Sequence, residues 1–331
     1  MCGITGIFAF NLVGKFNKIH ITAATMSLEK RGPDFQDIYI DEWVGLGHRR
    51  LSVIDTSEKA NQPMWDSSGR YCIVFNGEIF NYRELRRTLE AKGMVFRSES
   101  DTEVLLQAYI LDQEACLEKL NGFFAFCIYD KHNQSFFLAR DRFGVKPLLY
   151  LFDEDKFIFA SEMKSMLRYG IDKALDYTSL VTYLQLNYIP APDSILTNVK
   201  KLLPGHYLKI ESRRISVQRW YTIPREKTEH AGTSSYDAAK ARFASLLETA
   251  VQRRLVADVP LGAFLSGGVD SSVITGLASR HKPDIQTFSI GFKDAPFFDE
   301  TAYAREVSKH FNTHHTVFSL TNKDLFAHLN D

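Results

Sequence analysis

No charge of one sign dominates this chain: its 40 Lys and Arg residues balance its 40 Asp and Glu residues. That parity argues against a surface built around nucleic acid or an anionic membrane, both of which ask for a basic excess. Long hydrophobic runs are also missing, and none approaches the ~18 residues that a membrane-spanning helix needs. The first residues are apolar but hold no basic side chain before Lys15. A signal peptide would place its charge first. The expectation is a cytoplasmic protein with neither a membrane nor a nucleic-acid partner.

Cysteine is scarce. The four are Cys2, Cys72, Cys116 and Cys127. They form no CxxC pair, and no histidine spacing completes a zinc site. Cys72 and Cys127 sit in apolar, strand-like runs and Cys116 in a helical stretch, where a thiol behaves as a small buried hydrophobe. Only Cys2 stands in an unusual place.

What is present is ordinary for a globular protein, with 45% hydrophobic and 24% charged residues. The length suits about two domains. Up to about residue 210 the chain alternates short strand-like segments with turns, for example over 3–10, 45–49, 71–75, 123–129, 135–140 and 157–161. Helices are expected over 82–92 and 101–111, where leucines recur at helical spacing. That mixture reads as α+β, with stacked sheets covered by helices. A polar stretch with Pro224 and Gly232 marks a linker over 214–234. From Ser235 strands and helices alternate: an apolar helical stripe from Phe243 to Leu255, strands over 261–265, 285–292 and 315–320, and helices between them. Alternation of this kind implies a parallel sheet. The domains are expected at 1–213 and 235–331.

Two constellations carry chemistry. Cys2 follows the initiator methionine. If Met1 is removed, one residue holds both a thiol and a free α-amine. The amine, with a pKa of ~7.7–8.0, can take a proton near neutrality, and a thiol needs such a base to become a nucleophile. Taken alone, a cysteine at position 2 is more readily chance. The surrounding strings reverse that: Met1-Cys2-Gly3-Ile4-Thr5-Gly6, Arg31-Gly32-Pro33-Asp34, Gly47-His48-Arg49-Arg50-Leu51-Ser52-Val53-Ile54-Asp55, Asn76-Gly77-Glu78-Ile79-Phe80-Asn81 and Ser100-Asp101-Thr102-Glu103. In this order they resemble the class II glutamine amidotransferases, a branch of the N-terminal-nucleophile hydrolases. The resemblance implies Cys2 as nucleophile. It implies the Asn76 side chain and the Gly77 N–H as donors to the tetrahedral oxyanion. It further implies glutamine contacts from Arg50, Leu51, Val53, Ile54, Asn76, Gly77, Glu78 and Asp101. Arg50 suits the substrate carboxylate, and Glu78 with Asp101 suits its ammonium. Two plainer readings stay open: Asn76-Gly77 as a hairpin turn, and Asp101 as a helix N-terminal residue. Asp34 reads as a turn organiser.

The second constellation is Ser266-Gly267-Gly268-Val269-Asp270-Ser271-Ser272, between a strand and a helix. It lacks the lysine of a Walker A loop. It resembles the SGGxDS loop of N-type ATP pyrophosphatases, and the string from Arg254 to Leu265 before it resembles the asparagine synthetase family. That resemblance implies ATP or pyrophosphate contacts from Leu265, Ser266, Gly267, Gly268, Asp270, Ser271, Ser272 and Ile290. Asp270 would be a magnesium ligand. ATP and Mg²⁺ would serve as substrate and ion, with no tightly bound cofactor. A ligand-free Gly-rich β–α turn is the plainer reading. His314 and His315 point apart on a strand and read as structural.

The resemblance runs along nearly the whole chain, including Arg140-Asp141-Arg142-Phe143-Gly144-Val145-Lys146-Pro147. The implied fold is an α+β N-terminal-nucleophile sandwich of stacked antiparallel sheets, then a truncated α/β parallel-sheet ATP-pyrophosphatase domain. The implied function is asparagine synthesis from glutamine, aspartate and ATP. A related amidotransferase for another carboxylate, or a chain that is a glutaminase or partner-binding module only, is the alternative. Either a homodimer or a separate chain carrying the rest of the synthetase fits the partner expectation.

Overall fold

Alternation along the strands decides where this fold puts its core. The structure, a computed structural model, describes residues 1–224 and 235–327. It divides into a unit over Met1–Arg225 and a unit over Glu226–Asp331.

In the first unit the strands are β1 (Gly3–Ala9), β2 (Phe35–Ile40), β3 (Val44–Arg50), β4 (Met64–Trp65), β5 (Tyr71–Ile79) and β6 (Gly122–Asp130). They continue as β7 (Ser135–Arg140), β8 (Leu149–Phe152), β9 (Lys156–Ala160), β10 (Lys200–Lys201), β11 (His206–Glu211) and β12 (Arg214–Arg219). They form two six-stranded sheets, ordered β10-β8-β9-β1-β3-β2 and β12-β11-β7-β6-β5-β4. Every pairing within them is antiparallel. Side chains alternate between faces at every step. Ile4 and Phe8, Val44 and Leu46, and Cys72 and Val74 therefore share the core between the sheets with Cys127, Phe136 and Leu138. On the outer face of the first sheet Ile7 and Ile158 meet Ile21 and Ala24 of the helix Ile21–Met26. On the outer face of the second, Tyr109 of the helix Asp101–Asp112 stacks on Phe137 with ring centroids 4.8 Å apart. The expected sandwich of stacked antiparallel sheets is the fold of this unit.

The inward rows also place the site. Continued toward one end of the sandwich, the same parity that buries Ile4, Leu46 and Val74 reaches Cys2, His48 with Arg50, and Asn76 with Glu78. The apolar rows become polar at that end.

Two local expectations are corrected. Residues 214–219, read as the start of a linker, are strand β12, paired with β11 from Glu211↔Arg214 to His206↔Arg219. As an edge strand with mostly exposed side chains, it needs no apolar alternation, and charged residues there discourage pairing with other chains. The rest of the expected linker, 225–234, lies outside the described residues. Asn76-Gly77 is not a hairpin turn: both lie inside β5, opposite Ala125 and Phe124.

The second unit holds a parallel sheet of β13 (Gly262–Phe264), β14 (Gln286–Phe292) and β15 (His314–Leu320). The helices Val269–His281 and Thr301–Phe311 connect them, as the alternating pattern predicts. The helix Tyr236–Arg253 buries Val251, whereas Phe243 and Leu246 of its apolar stripe are exposed within the described residues. No helix among the described residues is long and apolar enough to cross a membrane.

Candidate active site

Nine residues singled out from the sequence line one cavity in the first unit. They are Cys2, Arg50, Leu51, Val53 and Ile54 from β1, β3 and the loop after β3, and Asn76, Gly77, Glu78 and Asp101 from β5 and a helix start. Met1, Gln62, Thr102 and Lys146 line it as well.

Cys2 is half-buried at the start of β1. Its Sγ accepts the Leu51 N–H at 3.4 Å, and its carbonyl accepts Arg31 Nε at 2.8 Å. Arg31 is tied in turn to Glu162 at 3.0 Å, so the backbone of Cys2 is fixed from outside. Burial pushes the Cys2 thiol up. The Leu51 N–H, the terminal amine and Arg50 pull it down, while Asp101 opposes them. The resting group is a thiol that needs a base. Burial pulls the α-amine of Met1 down, with Lys146 and Arg31 adding to that effect and Cys2 and Glu78 opposing it.

Arg50 is buried, and its guanidinium is not a free fork. Nη1 donates to Ser57 O at 2.9 Å and Asn61 Oδ1 at 2.7 Å, and Nη2 donates to Asp55 O and, at 3.4 Å, to Ile54 O. The Nε edge, together with the hydrogen spent on the long Ile54 bond, is what remains for an incoming carboxylate. The same bonds shape the loop that brings Leu51 to Cys2.

Across the cavity the charge is acidic. Asp101 is the first residue of its helix, which Ser100 caps by accepting the Glu103 N–H at 3.2 Å. Its Oδ2 accepts the Ile79 N–H at 2.9 Å. Burial outweighs that bond, and the Asp101 carboxyl is pushed up to about 7. Burial also raises Glu78, and Lys146 pulls against it. A cation between these two carboxyls would relieve both shifts.

Asn76 is fully buried, and neither its side-chain oxygen nor its nitrogen has a hydrogen-bond partner. A buried amide left unpaired costs free energy, so its place in the cavity wall calls for an explanation beyond the packing of the fold. At Gly77 a Cβ would stand 2.3 Å from the Phe123 carbonyl oxygen, so only glycine fits without displacing β6. Asp34 accepts the Ser52 N–H at 2.8 Å and stays out of the cavity lining; it organises the loop, as expected.

In the second unit the expected nucleotide residues divide. Leu265, Ser266, Ser271 and Ile290 line one cavity, and Gly267, Gly268, Asp270 and Ser272 are not among its lining residues. The loop enters the N-terminus of the helix Val269–His281 without a side-chain cap, which leaves its first N–H groups to an anion. Gly267 has φ +85°, and a Cβ there would sit 2.4 Å from Tyr303 Cβ. The serine hydroxyls are engaged within the loop: Ser271 and Ser272 donate to Gly268 O at 3.1 Å and 2.7 Å, and Ser266 meets Ser271 at 3.0 Å. These features fit phosphate. Among the described residues no cluster of three or more metal-ligating side chains exists, so magnesium near Asp270 would depend on phosphate oxygens and water. His315 bonds Thr287 at 3.0 Å and Ser289 at 3.4 Å, a structural arrangement.

Sequence reasoning missed Gln62, Thr102 and Lys146 as lining residues. Lys146 lay inside a quoted string but carried no signal of facing the cavity. Gln62 lay in none.

Comparison with known proteins follows this division. A family model described as "Glutamine amidotransferase domain" matches residues 1–221, and one described as "Asparagine synthase" matches residues 242–331. Asparagine synthetase [glutamine-hydrolyzing] 3 of Bacillus subtilis is 36% identical, covering 100% of this chain and 56% of that protein. Asparagine synthetase [glutamine-hydrolyzing] 1 of the same organism is 37% identical over 93% of this chain and 48% of its own length. The chain thus spans about half the length of these curated relatives. Among solved structures, a glutamine phosphoribosylpyrophosphate amidotransferase from B. subtilis covers 96% of this chain, which spans 81% of it. The TM-score is 0.52 at 14% identity, a likeness of fold.

Proposed function

The chain belongs to the class II glutamine amidotransferase family and continues into an asparagine synthase segment; from that premise we propose that it hydrolyses glutamine at Cys2 and delivers the ammonia to asparagine synthesis. The observation that carries the reading is one cavity joining a nucleophile, an unpaired buried amide and charges of both signs at opposite walls. Glutamine carries a carboxylate and an ammonium at one end and an amide at the other. Arg50 would hold the carboxylate, Asp101 with Glu78 the ammonium, and the amide would then reach Cys2.

Loss of Met1 gives Cys2 the free amine. The amine takes the thiol proton, and the sulfur attacks the amide carbon. The Asn76 amide and the Gly77 N–H hold the resulting oxyanion. The amine returns the proton to the leaving nitrogen, ammonia departs, and a thioester remains. Water, deprotonated by the same amine, releases glutamate. In the second unit ATP would bind at the Ser266–Ser272 loop with Mg²⁺ and activate aspartate as its acyl-AMP. The test incubates the 331-residue chain with glutamine, aspartate, ATP and Mg²⁺ and assays glutamate, asparagine and AMP separately. Glutamate release supports the hydrolytic reading, and its absence sinks it. Asparagine and AMP in equal amounts would assign the whole reaction to these residues.

Two further outcomes are expected. Asp101→Asn should raise KM for glutamine about 10- to 100-fold, the equivalent of a ~1.5–3 kcal/mol hydrogen bond to a charged group, with kcat changed far less. Equal losses in kcat and kcat/KM would move Asp101 from binding to chemistry. The second outcome concerns pH. Asp101 is ionised only above about 7, so below that value a neutral acid faces the substrate ammonium. kcat/KM should fall as pH drops through 7, and Asp101→Asn should lose that limb while keeping any limb due to the α-amine. A wild-type profile flat from pH 6 to 8 would contradict this assignment.

A further inference from the structure

β5 runs over Tyr71–Ile79, but β4 pairs only with Ile73 and Cys72. Beyond Ile73 the odd-numbered residues of β5 turn their backbone groups toward an edge that no strand covers. The ends of that edge are closed by side chains: Tyr71 N–H goes to Asp66 Oδ1 at 2.8 Å and Ile79 N–H to Asp101 Oδ2 at 2.9 Å. Phe75 lies midway and is held on both backbone groups. Its N–H donates to Gln62 Oε1 at 2.6 Å, and its carbonyl accepts His48 Nε2 at 3.0 Å. His48 comes from the other sheet, and Gln62 is braced by donating to Thr102 Oγ1 at 3.0 Å. Both side chains are buried, at 0% and 4% exposure. Asn76, with its unpaired amide, is the next residue, and Gly77 follows on the same edge as Phe75.

We propose that His48 and Gln62 are positioning residues that clamp the Phe75 backbone and so fix the Asn76 amide and the Gly77 N–H as a preformed oxyanion site. The proposal rests on the glutaminase reading above. The bonding pattern supports it independently of that chemistry. A carbonyl can only accept, so His48 carries its proton on Nε2, and Nδ1 is left buried without a partner. Burial pulls His48 down to about 3, which keeps it a neutral donor at working pH. Two buried polar side chains and one unpaired ring nitrogen are a costly way to complete a strand edge. Extending β4 by two residues in its Met64↔Ile73 register would satisfy the Phe75 backbone more cheaply, but two residues more in the same register would cover the edge that Gly77 needs open. An oxyanion donor must be held before the charge forms, and a displacement of about 1 Å can cost ~10²-fold in rate.

The test uses the full chain. His48→Phe removes the donor at similar size, Gln62→Met removes the acceptor, and His48→Gln restores an amide donor at the reach of Nε2. Steady-state glutaminase kinetics are read beside the rate of Cys2 alkylation by iodoacetamide, a displacement that forms no oxyanion. His48→Phe and Gln62→Met should each lower kcat about 10- to 100-fold, with KM and the alkylation rate within about twofold. His48→Gln should recover most of kcat. Unchanged kcat in either variant overturns the clamp, as does a parallel fall in alkylation, which would mean general damage to the cavity. If His48→Phe does not fold, Gln62→Met decides by the same criteria, because it leaves the core between the sheets intact. Asn76→Ala run alongside separates the two levels: if it keeps full kcat, the oxyanion reading itself fails. If it loses kcat and the clamp variants do not, only the clamp fails.

Discussion

Cys2→Ala should reduce glutamine hydrolysis to background while the protein folds normally. The Sγ accepts the Leu51 N–H at 3.4 Å and donates to the Leu51 carbonyl at 3.7 Å, and such long contacts contribute little to stability. The expected loss is the largest of any single change, because no other thiol can substitute. Cys72 and Cys127 are buried in the core, and burial holds both thiols well above their ordinary range. Burial pushes Cys116 up to about 12. Thiols of that kind are protonated and inaccessible, hence inert. Intact-mass spectrometry should therefore show a chain lacking Met1 with a single adduct from an electrophilic glutamine analogue, and peptide mapping should put it on Cys2. An adduct on Cys72, Cys116 or Cys127, or full activity in Cys2→Ala, would remove the nucleophile assignment.

The contrast between Cys2 and the other cysteines was legible in the sequence, because apolar neighbours on a strand predict burial. Strand alternation made the sandwich legible in the same way: Ile4, Leu46 and Val74 are spaced to face one core, and the polar residues that continue those rows stand at its end. Elements without a core-facing stripe were not legible. The helix Leu12–Lys18, with Asn11 accepting the Gly14 N–H at 3.0 Å, exposes Leu12, Val13 and Phe16, so its apolar residues mark no inner face. Contacts between side chains and distant backbone were also invisible. Gln62 meets Phe75 across 13 residues and His48 meets it across 27, and no local spacing encodes either pairing. Arg50 was legible as a cavity residue, and it lines the cavity. That its Nη groups are spent on the loop from Ile54 to Asn61 was not, because those acceptors are mostly backbone carbonyls. The plainer reading of Asn76-Gly77 failed because turn-forming dipeptides also occur where a strand runs close to a neighbour, and here the requirement for glycine is steric.

Asn76→Ala should lower kcat for glutamine by about 10²–10³, the loss typical of one oxyanion donor, with KM nearly unchanged. The buried amide of Asn76 has no partner for either atom, so the substitution removes no existing hydrogen bond. Truncation of a group that satisfied a structural need would leave an orphaned partner and cost stability; truncation of an unpaired amide leaves none. The variant should therefore be at least as stable as the wild type in a denaturant titration while nearly inactive. That combination discriminates between roles, since a residue that only supports the fold would lose stability and activity together. Binding should survive because, on the proposed reading, the carboxylate and ammonium of the substrate would meet Arg50, Glu78 and Asp101 rather than Asn76. A glutamine-derived aldehyde sharpens the test. It adds to Cys2 as a tetrahedral hemithioacetal whose oxygen occupies the oxyanion position, so its affinity should fall by nearly the same factor as kcat. Unaltered aldehyde affinity in Asn76→Ala, or a rise in KM with kcat intact, would show that the amide binds the ground-state substrate and that the oxyanion is held elsewhere.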